Sequence, residues 1–432
     1  MSLPLTHAGL SAPGISAALD LKFASTLSLT SSSGITPSYS RASTGTYFNS
    51  SGVLTSAAVN APRFDHTYNG TSWISRGLLV EEQRTNLQLA SSDLGNGSYW
   101  STLNMSISAN SGNAPDGTAT ADFLVPSAGT GTKYIYSNPT PYTKTAGANN
   151  AVSIFAKSSD FQYITIQALD NGSGAYIHAG FDLLNGIVGS SATGGVATFV
   201  SSSIQNVGNG WYRCVVVGSS SGTQGRIAIG VGGNATLTST GDGVKGAFIW
   251  GVQAEDNVSF PTSYIPTTSA AVTRNAEVIN LSGAVSGCIG QTEGTIYAEV
   301  DLRNLNSGVF RRVFSLHDTT TSNVIQVFTS DSSSLLTASV ITSGVVQASI
   351  ATASVVTGVA KIAIGYALNN VAFFVNGLQV GATDTSATIP ACSAINIGAS
   401  AAGSSFFNDR IRSVALYTTR LTNQELAALT TL

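Results

Sequence analysis

The chain has 432 residues, of which only 9% are Asp, Glu, Lys or Arg, against roughly a quarter in an ordinary soluble domain. With 19 basic and 22 acidic residues the net charge is −3, which excludes the clustered basic stripe that displaces counterions from nucleic acid. Hydrophobic residues reach 43%, enough for packed cores and too many for a disordered chain.

At roughly 150 residues per domain, this length predicts about three modules. The opening MSLPLTHAGLSAPGIS has neither the basic start nor the apolar stretch of a signal peptide, so cytoplasmic synthesis without a leader is expected. Residues 1–18 are weakly patterned and rich in small side chains, as docking segments are. Residues 1–88 read as an extended, loop-rich attachment region. It gathers Arg41, Arg63, Asp65, Arg76, Glu81, Glu82 and Arg84 in a chain that otherwise avoids charge. No Ser, His or Cys nucleophile accompanies them, so ion pairs pinning the segment onto the next module are expected rather than catalysis.

Residues 89–275 predict a β-sandwich. Stretches such as AVSIFAK (151–157), FQYITIQAL (161–169) and WYRCVVVG (211–218) alternate with Asn-Gly turns at Asn171, Asn185 and Asn209, the punctuation of hairpins. The module closes in FPTSYIPTTSAAVTR (260–274), where Pro261 and Pro266 favour an extended strap. Residues 276–432 predict a second, independently folding sandwich. In TIYAEVDLR, Ile296, Ala298, Val300 and Leu302 fall on one face; Tyr297, Glu299, Asp301 and Arg303 fall on the other, expected to be exposed. A hairpin turns at Asn376-Gly377. Thr422 with Glu425 forms a capping box, flanked by Leu421 and Leu426 as a hydrophobic staple, and predicts a helix over 422–430. Elsewhere the pattern is all-β, and no apolar run of 18 residues predicts a membrane-inserted helix.

Chemistry is sparsely marked. Cys214, Cys288 and Cys392 are widely spaced without CxxC, and support neither a disulfide framework nor zinc. His7, His66, His178 and His317 are scattered, with no HExxH. Glu299 and Asp301 stand about 7 Å apart along a strand, within reach of an inverting carboxylate pair, but Arg303 occupies the next position on that face. No cofactor is expected; calcium, if present, would draw on Asp318, Asp331, Asn408 and Asp409. Glycan binding needs aromatic platforms beside amides and carboxylates. Tyr99 and Trp100 in GNGSYWSTLN, and Phe406, Asn408 and Asp409 in SSFFNDR, are the candidates. Trp211 and Trp250 lie within apolar strands and are expected in the core, with Trp73 a further aromatic candidate.

YSRASTGTYFNSSGVL (39–54), APRFD (61–65) and RGLLVEEQRTNL (76–87) resemble a signature of bacteriophage tail-fibre and spike proteins. GAFIWGVQAED (246–256) with the 260–274 strap is similar to a second block of those proteins. The last module resembles a laminin G-like, or concanavalin A-like, sandwich. The resemblance implies a non-enzymatic virion protein on the particle surface, made in the host cytoplasm. It implies contacts with other virion proteins through the N-terminal region, homo-oligomers such as trimers, and host-surface glycans as partners. The alternatives are an architectural decoration or cement protein that binds no sugar, and a polysaccharide depolymerase.

Overall fold

The computed structural model describes residues 11–12, 15–138, 141–282, 287–303, 309–331 and 333–432; His7 and most of the expected docking segment lie outside them. The described chain is almost entirely antiparallel β-structure in two sandwiches, joined by loop-rich N-terminal segments.

In the middle sandwich one sheet runs Trp100–Leu103, Tyr134–Ser137, Gln224–Val231, Tyr163–Asp170, Tyr176–Asp182, Ile187–Gly194. The facing sheet runs Met105–Gly112, Ala121–Pro126, Ala247–Asp256, Asn149–Ser158, Trp211–Ser220, Ala197–Asn206. Period-two alternation sends Ile154, Val216 and Val252 from one sheet and Ile166, Ile177 and Ile229 from the other into one core. Trp100, expected in a polar loop, belongs to that core: it is only 3% exposed and its indole N–H donates to the Ala90 carbonyl at 3.1 Å.

The C-terminal sandwich is built from both ends of the chain. Its last strand, Asp409–Tyr417, pairs on one side with Glu293–Leu302. Its other side is shared: Leu78–Val80 pairs with 409–411, and Leu19–Leu21 with 414–416. The opposite sheet ends in Ser38–Ser40, paired with Val278–Ser282. Leu19, Leu21, Phe23, Leu78 and Val80 are buried in the same core as Ile296, Phe314 and Phe373. At ~1.5–3 kcal/mol per buried side chain, these five contribute on the order of 10 kcal/mol, comparable with the net stability of a domain. Residues 276–432 therefore do not make a self-contained sandwich, and residues 16–18 are not a free tail: the Ala18 N–H donates to the Leu416 carbonyl at 2.8 Å.

The polar face expected on Glu293–Leu302 is also largely covered. Tyr297 is fully buried and Asp301 is buried. The helix Asn423–Thr430 explains part of this: it packs Leu426, with Leu421 before it, against Tyr297, Phe374 and Tyr417. Its capping box is present, with the Thr422 N–H donating to Glu425 Oε2 at 2.7 Å and the Glu425 N–H donating to Thr422 Oγ1 at 3.3 Å. The hairpin turn has Asn376 and Gly377 at φ 51° and 83°, the left-handed pair that a two-residue turn requires. A one-turn helix, Phe23–Thr26, was not signalled because no side chain caps it; its place follows from burial of Phe23 in the core.

A fragment of residues 276–432 is expected to aggregate or melt without cooperativity, since it exposes an open strand edge and lacks five core side chains. Adding a separate 15–88 peptide should restore a sigmoidal thermal transition and a monodisperse elution profile. A sharp transition in the fragment alone contradicts the shared-edge argument.

Candidate functional site

The charged residues of 39–84 converge with two residues from beyond position 270. Arg63 is fully buried and uses every guanidinium hydrogen. Nε donates to Glu277 Oε1 at 2.9 Å. Nη1 donates to the Thr46 carbonyl at 2.9 Å and to Ser263 Oγ at 2.6 Å. Nη2 donates to Glu81 Oε2 at 2.8 Å and to Glu277 Oε1 at 2.6 Å. Arg41, also buried, reaches Glu277 at 3.2 Å, Tyr39 Oη at 2.7 Å and the carbonyls of Ala58 and Ala61. Arg274 lies 3.4 Å from both Glu277 and Glu81. Three buried guanidiniums thus surround two carboxylates, and carbonyls and hydroxyls take up most of the remaining donors, Arg274 Nε being left without a partner. Burial alone would raise the Glu81 carboxyl, but Arg274 and Arg63 hold it below its ordinary value. Burial likewise opposes the Arg63 charge, and Glu277 and Glu81 outweigh it.

Asp65 and Arg76 extend this arrangement toward the C-terminal sandwich. Asp65 accepts two bonds from Arg410, at 3.0 and 2.8 Å, and Arg76 lies 3.5 Å from Asp301. Glu82 and Arg84 pair with each other nearer the surface. Glu277, Arg274 and Arg410 were missed at the sequence level because they stand about 200 to 350 residues from their N-terminal partners; the only signal was their charge in a charge-poor chain.

The same N-terminal segments dock on the middle sandwich through aromatic rings. Trp73 packs 5.0 Å from Phe48 and 5.7 Å from Tyr68, and Phe155, Trp250 and Tyr264 form an adjoining cluster with Trp211. Trp211 and Trp250 are thus buried at this junction, outside the core of their own sandwich. Gly52, at φ 77°, sits against the Trp73 ring, where a Cβ would come within 2.1 Å of the indole nitrogen.

Where the chain crosses between the sandwiches, Arg84–Asn86 pairs with Val272–Arg274. Asn86 is fully buried; its amide donates to the carbonyls of Val252 and Ile265 and accepts from Gln88 and Ala254. Two surface depressions flank this crossing and share Leu87 as a wall. One, of about 240 Å³, is lined by Gln83, Arg84, Thr85, Thr143 and Asp256. The other, of about 110 Å³, is lined by Ser98, Tyr99, Asn138 and Tyr142. Arg84 Nε and Asp256 Oδ1 are shielded from solvent without a hydrogen-bond partner. This groove offers amides, hydroxyls, a guanidinium, a carboxylate and one half-buried aromatic ring.

The remaining candidates are dispersed. Phe407, Asn408 and Asp409 are buried, so neither of the two polar residues is available as an exposed ligand contact. Asn408 Oδ1 accepts the Glu82 N–H at 2.8 Å, and Asp409 Oδ2 accepts the Arg303 N–H at 2.6 Å. Phe406 is half-buried. Asp318 accepts from Thr320 and Asn323 within its own loop, apart from Asp409 on the last strand. Among the described residues no group of three His, Cys, Asp or Glu side chains is placed to hold a metal ion. Glu299 pairs with Arg412 at 2.7 Å, and Asp301 with Arg303 at 2.8 Å.

Residues 274–427 match the family described as the concanavalin A-like lectin/glucanases superfamily, which makes the last module a laminin G-like, concanavalin A-like domain. No curated protein matches the chain. Among solved structures, the Ruminococcus gnavus IT-sialidase CBM40 bound to α2,3-sialyllactose is 17% identical, with TM-score 0.29, covering 34% of this chain and 85% of that one. The heptameric SAP-like pentraxin of Limulus polyphemus is 13% identical, with TM-score 0.25, covering 32% and 69%. Domains LG4-5 of the mouse laminin α1 chain are 11% identical, with TM-score 0.21, covering 61% and 80%.

Glu81→Gln tests the junction. It leaves Arg63 and Arg274 under-compensated in a buried site, and should cost about 3–5 kcal/mol in urea unfolding at neutral pH. Because the folded Glu81 is held below its ordinary value, its contribution is present above the carboxylate range and is lost as pH falls through the folded value. The gap between wild type and variant should therefore narrow on acidification; a gap independent of pH rejects the role.

Proposed function

We propose that this chain is a non-enzymatic, glycan-binding protein of a bacteriophage particle, carried on its surface as a fibre, spike or comparable appendage. It folds in the host cytoplasm, meets other virion proteins through its N-terminal region, and recognises host-surface glycans. The observation that carries the glycan reading is the groove around Leu87. Tyr99 supplies an aromatic surface, and Gln83, Thr85, Asn138, Thr143 and Asp256 supply neutral and acidic hydrogen-bonding groups of the kind that fit sugar hydroxyls. The concanavalin A-like domain is consistent with that reading. The virion reading is supported by the two sequence blocks resembling phage proteins, whose Arg41, Arg63, Glu81 and Arg274 take part in the buried junction.

What supports a non-enzymatic role is the pairing of the carboxylates that a glycosidase would need. Glycoside cleavage uses one protonated and one ionised carboxyl around the scissile bond. Glu299 and Asp301 are instead each tied to an arginine, and Asp301 is buried.

The groove is tested by retention on immobilised host capsular and lipopolysaccharide glycans. The double variant Gln83→Ala, Tyr99→Ala should bind at least tenfold more weakly while still melting cooperatively, and Phe406→Ala should bind as wild type. Undiminished binding by the double variant, or no binding to any of these glycans, rejects the reading.

A second reading, an architectural decoration or cement protein, is favoured by one observation. The edge strands Ile187–Gly194 and Ala197–Asn206, one on each sheet, carry no charge and no proline, and leave Ile187 and Val200 exposed, with Val196 exposed in the link between them. Unguarded edges of this kind pair with other chains, and a homo-oligomer such as a trimer would cover them. Light scattering at micromolar concentration reads this directly: a monomer throughout rejects self-association.

A further inference from the structure

A separate pocket lies where the hairpin of Gly45–Phe48 and Leu54–Ala57 meets the middle sandwich. It measures about 270 Å³ and is lined by Gly52, Asn113, Lys157, Gly208, Asn209 and Trp211, among others, with no acidic side chain in its wall. Lys157 stands on the strand Asn149–Ser158 directly across from Trp211. Among the described residues its ammonium has neither an ion pair nor a hydrogen bond. The other partly or fully buried lysines are all engaged: Lys22 with Asp20, Lys133 with the Ser127 and Gly129 carbonyls, Lys144 with Ser220 and Gly222, and Lys361 with Thr431. The acidic residue nearest the wall in sequence, Asp116, is turned into its own loop, where Oδ1 accepts from the Thr118 N–H and hydroxyl at 3.0 and 2.6 Å.

The surrounding geometry keeps that cation accessible to the pocket. Gly210, at φ 78°, passes 3.3 Å from the Lys157 Cε as measured from an added Cβ, so a side chain there would crowd the lysine stem. The Trp211 indole N–H is already committed to the Asn113 carbonyl at 3.1 Å. The ring is only 3% exposed and closes the pocket floor, so the polar groups at hand, the Asn113 and Asn209 amides and the lysine, are what the pocket offers a ligand. The volume lies just under the ~300 Å³ at which pockets for drug-sized ligands begin, which suits a single compact unit. Two amides and one unpaired cation match a compact ligand with hydroxyls and one carboxylate.

We propose that this pocket binds a uronic-acid unit, with the carboxylate on Lys157 and the ring hydroxyls on the Asn113 and Asn209 amides. It is a site distinct from the groove around Leu87 and does not depend on it.

Titration of the full chain with D-glucuronate, D-glucose and inorganic phosphate, followed by saturation-transfer NMR, tests the assignment. Glucuronate should bind saturably, with glucose at least tenfold weaker. Lys157→Met should remove that preference, Lys157→Arg should retain it, and Lys245→Met, at an exposed lysine elsewhere, should leave it intact. Independently of any variant, glucuronate should slow acetylation of Lys157 at least fivefold, read by peptide mass spectrometry, and glucose should not. Equal affinity for glucose and glucuronate, or unchanged preference in Lys157→Met, overturns the proposal. Absence of Lys157 protection, or phosphate competing as well as glucuronate, overturns it too.

Discussion

The carboxylate of Glu277 is the point on which the architecture turns. One side chain ties together Arg41 and Arg63 from the N-terminal segments and Arg274 from the end of the strap, and it also accepts the backbone N–H of Glu81 at 2.8 Å. Removing such charges from water costs several kcal/mol each, and their mutual attraction recovers that only in good geometry. The net gain in stability is therefore modest. The gain in specificity is larger, because any displacement of one segment strands a guanidinium without a partner. Three stretches far apart in sequence are held in a single register, and both sandwiches inherit their placement from it.

This explains why the polar economy of the chain is uneven. Its surfaces are wetted by hydroxyls and amides, while many of its few charges are spent inside. The Asp65–Arg410 fork and the Arg76–Asp301 pair carry the same logic outward to the last sandwich. The aromatic cluster around Trp73 carries it to the middle one.

What was legible in the sequence was local. The capping box at Thr422 and Glu425, the left-handed pair at Asn376-Gly377 and the alternating apolar positions of Ile296 to Leu302 all act over a few residues, and their pattern specifies their conformation. What was hidden depended on partners distant in the chain. Alternation says that Tyr297 and Asp301 face away from Ile296, but not that a helix and arginines from elsewhere cover that side. A tryptophan in a polar stretch, Trp100, looks exposed until the Ala90 carbonyl supplies its buried partner. The groove around Leu87 was only partly legible: Tyr99 stands out as an aromatic among small polar residues, whereas Gln83, Thr143 and Asp256 join it only because the chain crosses twice between the sandwiches.

The shared edge of Asp409–Tyr417 has a consequence for the order in which this protein comes into being. On a ribosome, Leu19–Leu21 and Leu78–Val80 are made more than 300 residues before the strand they pair with. At ~5–20 residues per second, those apolar segments wait tens of seconds for their partner. The middle sandwich meets no such delay, since its sheets draw only on strands between Trp100 and Asp256. Closure of the C-terminal sandwich thus waits until Asp409–Tyr417 has been made. Until residue 409 is made, those two apolar strands stay uncovered and open to any factor that recognises exposed apolar surface.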